Sequence, residues 1–264
     1  ADILQLLPFI YSVLLLFIFY KILKELEIDE KHQLFGLMFF GFHPSNIILS
    51  ASMNNDMLTY MLYGLAMLYT IKWYKNSTMK NIVVIGLAIA LATLSKFSGI
   101  TIAPITAVVF LYVFIKNKDK RLKLIGQFSV FAVVCIPLAM SFTIRNWILF
   151  KHPIGYVAAL GKDHPQYTAN NIFSGIFGIY PNEWKTPFID GRNINIIMAS
   201  LKMSTFGEYS KWSNVFGVNF NAFLAIFLLF SNIAVTVSGI ILSVKFLLQS
   251  KRDKIFKFIL IGNF

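Results

Sequence analysis

The chain has 264 residues, of which 57% are hydrophobic and only 14% charged, and 24 Lys and Arg against 12 Asp and Glu leave a formal net charge of +12. Soluble domains run at about 45–50% apolar and about 25% charged, so this composition excludes an ordinary soluble domain, a disordered chain and a collagen-like one, and the lone Cys135 in FAVVCIPLAM excludes a disulfide scaffold. The basic residues sit between long apolar runs, where they fix orientation against a lipid surface, which argues against a nucleic-acid partner.

A helix needs about 20 residues to cross about 30 Å of hydrocarbon. Runs of that kind predict seven spans, at roughly 3–23, 34–52, 57–74, 81–94, 100–115, 124–150 and 220–248, with an eighth beginning near Ile255. The fold class is therefore all-α, a polytopic transmembrane helical bundle. The fourth run is short, and Pro8, Pro44, Pro104 and Pro137 fall inside or near runs, which a bundle tolerates when neighbouring helices satisfy the freed backbone groups. Ala1-Asp2 lead straight into an apolar run and FKFILIGNF stops inside another, so the chain reads as an internal segment of a longer protein; no signal peptide is recognisable.

Lys and Arg accumulate in cytoplasmic connections. The connections 21–32, 72–80, 116–123 and 245–257 hold 16 of the 24 basic residues, whereas 52–56, 95–99 and 145–219 hold the other 8. The first set is expected to face the cytoplasm, with the chain entering from outside. Asn76-Ser77-Thr78 fits the glycosylation pattern but falls on the cytoplasmic side of this topology.

Three regions follow: a transmembrane helical core at 1–150, an extracytoplasmic loop at 151–219, and C-terminal transmembrane helices at 220–264, the last one truncated. The loop holds HPIGYVAALGKDHPQYTANN and IYPNEWKTPFIDGRN and should be ordered. Ile194, Ile197, Met198 and Leu201 recur at helical spacing after Asn193, a suitable N-cap, and predict a short interfacial helix.

An ionisable residue in or beside an apolar span costs several kcal/mol unless hydrated or paired, so each such residue marks a possible site. Asp56 in SASMNND, Lys96 in LATLSKFSG, Arg145 in SFTIRNW and His43-Pro44 in GFHPSN qualify. The topology brings Asp56, Lys96 and Arg145 to helix ends on the outer face. Each also has a structural role open to it: Asp56 as a helix cap, Lys96 and Arg145 as snorkelling anchors, and His43-Pro44 as a kink. Asp190 and Glu208 read as solvated loop carboxylates. No metal-ligand spacing, Walker loop or dinucleotide fingerprint is present. These observations fit an enzyme, a transporter or a channel.

HPSNIILSASMNNDMLTYMLYGLAMLYTIKWYKN, IGLAIALATLSKFSGI, VFAVVCIPLAMSFTIRNWILFKHPIGYV, DHPQYT and LKMSTFGEY, in that order and spacing, resemble the membrane core of bacterial family 39 glycosyltransferases. These are relatives of the dolichyl-phosphate-mannose protein mannosyltransferases in the GT-C superfamily. The resemblance implies a multi-pass plasma-membrane enzyme that moves a sugar from a polyprenyl-phosphate donor to a lipid, glycan or protein acceptor on the extracytoplasmic face. Such proteins carry one acidic residue in the loop after the first helix and another at the start of a later helix. Asp56 matches the second. The first has no counterpart, as though the chain began after that loop, and on the resemblance its absence bears on the catalytic competence of such a fragment.

On that resemblance Asp56 is the catalytic candidate, and Lys96 and Arg145 are candidates for holding the donor phosphate, Arg through bidentate hydrogen bonds and Lys as a point charge. Asn55, His43, His152 and Glu208 are supporting candidates. No metal ligand is assigned, although a divalent cation is compatible with such enzymes. The competing readings are a multi-pass transporter or lipid flippase, which predicts inverted repeats that the sequence lacks, and a non-catalytic membrane scaffold.

Overall fold

A computed structural model of the chain describes residues 2–151, 197, 200–202 and 218–249, which are helical or in turns. They form two compact units, one of residues 2–42 and 49–151 and the other of 43–48, 197, 200–202 and 218–249. The first unit holds α1 (Asp2–Glu25), α2 (Glu30–Gly41), α4 (Asp56–Lys75), α5 (Met79–Ser95), α6 (Ile102–Lys116) and α7 (Arg121–Phe150). Short 3-10 turns at Phe97–Thr101 and Lys118–Lys120 precede α6 and α7. Helix α3 (Pro44–Ala51) begins in the second unit and ends in the first, and α8 (Val218–Gln249) belongs to the second.

Local chemistry sets the helix ends. Asp29 caps α2 by accepting from the His32 backbone N–H at 3.4 Å, and its carboxylate meets His32 Nδ1 at 2.5 Å, a bond that holds Asp29 below its usual carboxylate range. Thr78 caps α5 by accepting from the Asn81 N–H at 3.3 Å. Glu27 after α1 and Lys151 after α7 both turn the chain with a left-handed φ of 59°.

The expected span at 34–52 is interrupted. Helix α2 stops at Gly41, and α3 restarts at Pro44. The proline ring disfavours helical geometry at His43, and its missing N–H is harmless in a first turn. Pro104 sits equally harmlessly in the first turn of α6, whereas Pro8 and Pro137 lie inside α1 and α7.

Helix α4 is the centre of the first unit, with α1 on one side and α5 on the other, and α5 in turn packs on α7. Small residues permit the close approach. A Cβ on Gly64 would stand 3.1 Å from Leu15 and 3.3 Å from Ile18 of α1, and one on Gly86 would stand 3.4 Å from Phe131 of α7. Without a hydrophobic drive between helices in lipid, such packing and interhelical hydrogen bonds hold the bundle together. Thr70 and Thr106 hydroxyls meet at 3.3 Å between α4 and α6.

The densest part is built on fully buried Trp73. Its indole N–H donates to Gln127 Oε1 at 2.8 Å, and Gln127 Nε2 donates to the Ser77 carbonyl at 2.8 Å. Phe110 packs on Trp73 with centroids 4.6 Å apart and on Phe128 and Phe131 at 5.3 Å, fastening α4, α6 and α7. In the second unit, Asn232 Nδ2 donates to the Leu201 carbonyl at 2.9 Å and Leu229 is buried against Leu228 and Ile233.

Among the described residues, three helical segments are long and apolar enough to cross a membrane: Leu6–Glu25, Phe97–Lys116 and Lys118–Phe150. A fourth arises if α2 and α3 count as one bent span. The expected count of seven is not reached among the described residues, and for two of the expected spans the reason is physical. Helix α4 carries four tyrosines, Trp73, Lys72 and Lys75 and faces protein more than lipid, while α5, at 17 residues, is about 5 Å short of the hydrocarbon thickness. Of the expected short helix near 194–201, only Ile197, Ser200 and Leu201 are described, each in helical conformation; Asn193, Ile194 and Met198 lie outside the described residues.

Gln127→Leu removes the partner of a buried indole N–H and of the Ser77 carbonyl, and should cost about 1–3 kcal/mol for each group left unsatisfied. The thermal midpoint of the detergent-solubilised protein measures this. Adding Trp73→Phe should cost less than the two single losses together, because one orphaned donor is then gone.

Candidate active site

The turn before α4 and the turn after α5 meet at one end of the bundle. Asn55 is the N-cap of α4 and makes no side-chain cap bond; Asp56 is the first helical residue, and its N–H donates to Asn54 Oδ1 at 3.1 Å. The Asp56 carboxylate is thus not the cap. It pairs with the Lys96 ammonium from the C-terminal end of α5.

Three further residues hold that pair in register. Asn55 Nδ2 donates to the Ser95 carbonyl, and Thr59 Oγ1 donates to Ser95 Oγ at 3.0 Å while also lying 3.0 Å from the Asn55 carbonyl. Thr59 is buried, the Asp56 side chain is 19% exposed and that of Lys96 48%, so the site is open to the bundle end and closed below. Tyr60, exposed, lies one helical turn along α4 from Asp56.

The Lys96 side of the site depends on Gly99. The Gly99 N–H donates to the Lys96 carbonyl at 2.8 Å, folding the 3-10 turn back onto α5. A Cβ on Gly99 would overlap the Ala92 carbonyl, so no other residue permits this approach without displacement.

Arg145 reaches the same end by register. Gln127 of α7 is bonded beside the start of α5, and Cys135 lies against Gly86 in its middle, so α5 and α7 run parallel. Both advance about 1.5 Å per residue, which brings Arg145 to the level of Ser95. Its side chain is exposed and forms no ion pair among the described residues. Its neighbour Asn146 is 2% exposed, and Nδ2 has no hydrogen-bond partner among the described residues.

The structure therefore joins Asp56 to Lys96 directly and puts Arg145 at the same end, with no ion-pair partner among the described residues. Asn55 belongs to the cluster as a positioning residue. His43 is half-buried in the second unit, at the break before Pro44. His152, Glu208 and Asp190 lie outside the described residues. Thr59, Ser95, Tyr60 and Gly99 were not singled out from the sequence; the polar residues flanking Asp56 and Lys96 at the two helix ends were the available signal.

Among the described residues no group of three or more His, Cys, Asp or Glu is placed to hold a metal ion. A divalent cation takes several oxygen ligands. One carboxylate facing an ammonium does not fit that requirement, so no step is assigned to a metal.

The model of a family described as dolichyl-phosphate-mannose-protein mannosyltransferase matches residues 3–160, more than half of the chain, covering α2 to α7 and all of α1 but its first residue. The chain belongs to the dolichyl-phosphate-mannose-protein mannosyltransferase family. Membership makes it a membrane glycosyltransferase of the GT-C type, with a lipid-linked sugar donor and an acceptor in a membrane. No curated protein and no solved structure matches the chain.

Gly99→Ala should break the local register before it breaks the fold. A double-mutant cycle of Asp56→Asn and Lys96→Gln should give a coupling of about 1 kcal/mol for a partly exposed pair. In the Gly99→Ala background that coupling should fall close to zero, measured by thermal or denaturant unfolding.

Proposed function

We propose that this mannosyltransferase-family protein transfers a sugar from a polyprenyl-phosphate donor to a hydroxyl of a lipid, glycan or protein acceptor on the extracytoplasmic face of the plasma membrane. The observation that carries the reading is the Asp56–Lys96 pair, set at one end of the bundle within the family-matched region.

The chemistry follows from the charges. The acceptor oxygen attacks the anomeric carbon, the bond from that carbon to the donor phosphate oxygen breaks, and the acceptor proton passes to a carboxylate. Asp56 is the base in this scheme. Lys96 and Arg145 offset the charge that grows on the departing lipid phosphate. Before donor binding, the Lys96 ammonium neutralises Asp56. An arriving phosphate competes for the ammonium and frees the carboxylate for the acceptor hydroxyl. Arg145, without an ion-pair partner among the described residues, needs no such exchange and suits initial capture of the phosphate.

Orientation rests on the unequal distribution of basic residues. Asp56, Lys96 and Arg145 share the end with few lysines, and the turns after α4 and α6 carry many.

With the full chain and a polyprenyl-phosphate sugar donor, Asp56→Asn should lower kcat at least about 10²-fold with helical content and thermal midpoint little changed. Lys96→Gln and Arg145→Gln should raise the donor KM more than they lower kcat. Full turnover by Asp56→Asn would remove Asp56 from the chemistry.

The face is tested separately. In a Cys135→Ala background, single cysteines at Ser52 and Gln166 should react with a membrane-impermeant thiol reagent on intact cells, and one at Asn117 should not. The reverse pattern would invert the topology and take the site off the outer face.

A further inference from the structure

The end of the bundle remote from Asp56 carries a second feature. Helix α4 is 20 residues long, so its two ends stand about 30 Å apart. Between the turn after α4 and the segment joining α6 to α7 lies a cavity of about 170 Å³. Its wall includes Lys75, Asn76, Asn117, Lys120 and Lys123, and buried Leu124 is among its apolar lining residues.

The cations around it are unequally committed. Lys75 lies 3.5 Å from Glu25 Oε2 and 3.6 Å from Glu27 Oε1, and Lys72 is 3.8 Å from Glu25 Oε1, so these two lysines are balanced by the end of α1 and the turn after it. Just outside the cavity, Arg121 donates to the Phe114 carbonyl at 3.4 Å and stacks over the Phe114 ring, while Lys116 lies over Tyr112. Lys120 and Lys123 have no ion-pair or hydrogen-bond partner among the described residues, and neither has the side-chain amide of Asn76. Asp119, the one acid between residues 116 and 123, joins none of these cations in an ion pair.

A cavity lined by two uncommitted ammonium groups and an uncommitted amide attracts an anion by charge and can offer it hydrogen-bond donors. Its volume is roughly tenfold what a lone water needs, yet below the ~300 Å³ at which ligand pockets begin. That size suits a compact phosphate and not a sugar-bearing donor. Ile115 is 64% exposed and Leu122 84%, so apolar surface flanks the cationic segment as it would beside acyl chains.

We propose that this cavity binds a phosphate group, remote from the Asp56 site and independent of the reaction there. The phosphate has two sources, the headgroup of an anionic membrane lipid and a soluble phosphate, and they share the same contacts with Lys120, Lys123 and Asn76.

The test compares two charge-matched variants of the full chain, Lys120→Gln/Lys123→Gln at the cavity and Lys80→Gln/Lys118→Gln outside it. Each is reconstituted in nanodiscs of phosphatidylcholine, with or without added phosphatidylglycerol. Binding is read from retention of phosphatidylglycerol by native mass spectrometry, and from titration of the phosphatidylcholine discs with inorganic phosphate.

The cavity variant should lose roughly tenfold or more in the affinity that the wild type shows, while the outer pair stays near wild type. Loss of phosphatidylglycerol alone identifies a lipid headgroup, and loss of inorganic phosphate alone identifies a soluble anion. Equal losses in both variants would mean diffuse attraction to the basic surface and would overturn the proposal. Wild-type protein retaining neither ligand would overturn it as well. Both variants alter exposed residues, so circular dichroism should show unchanged helix content.

Discussion

The antiparallel packing of α4 on α5 is the constraint on which the first unit depends. Two helices in a membrane gain little from excluding water, so their contact must come from close approach and from hydrogen bonds made across it. Gly64 admits α1 to one side of α4, and Gly86 admits α7 to the far side of α5. Thr59 and Asn55 tie α4 to Ser95 at one end, and Trp73 at the other end is tied through Gln127 to Ser77. The buried ones, Thr59, Trp73 and Gln127, would otherwise each be an unsatisfied cost in a dry interior. The same bonds thus supply both cohesion and register.

That register also creates the charged pair. Asp56 lies at the N-terminal end of α4 and Lys96 at the C-terminal end of α5. A carboxylate at a helix N-terminus and an ammonium at a C-terminus each complement the local dipole, so the two helices favour these charges separately. Antiparallel packing then puts the two termini side by side and turns two capping charges into one ion pair. A site made this way requires no special loop. It requires the turn after α5 to lie flat on that helix, which is why Gly99 matters to an ion pair it does not touch.

The other end of the bundle uses charge differently. Glu25 and Glu27 gather Lys72 and Lys75, and rings of Tyr112 and Phe114 take Lys116 and Arg121. What remains at this end, among the described residues, is an excess of ammonium groups at Lys120 and Lys123. The excess of basic residues in these turns is also what leaves a basic cavity.

Much of the fold could be read from residue order. The apolar runs located α1, α4, α5, α6, α7 and α8 within a few residues of their ends, and Asp56, Lys96 and Arg145 stood out because charge beside hydrocarbon is costly. The break at His43-Pro44 was legible as a kink, since proline chemistry is local. Partnership was not legible. Nothing in a single helix says that Asp56 meets Lys96, 40 positions away, or that Trp73 meets Gln127, 54 positions away. Hydropathy reports how one segment divides itself between water and lipid, and in a membrane bundle the lipid-facing and protein-facing sides are both apolar. The sequence by itself therefore determined that this is a helical membrane protein and which of its residues are too polar to be idle. Which helices touch, which charge neutralises which and how the turn at Gly99 lies were decided by the tertiary structure, because these depend on side-chain shape across a contact that exists only once the helices have packed.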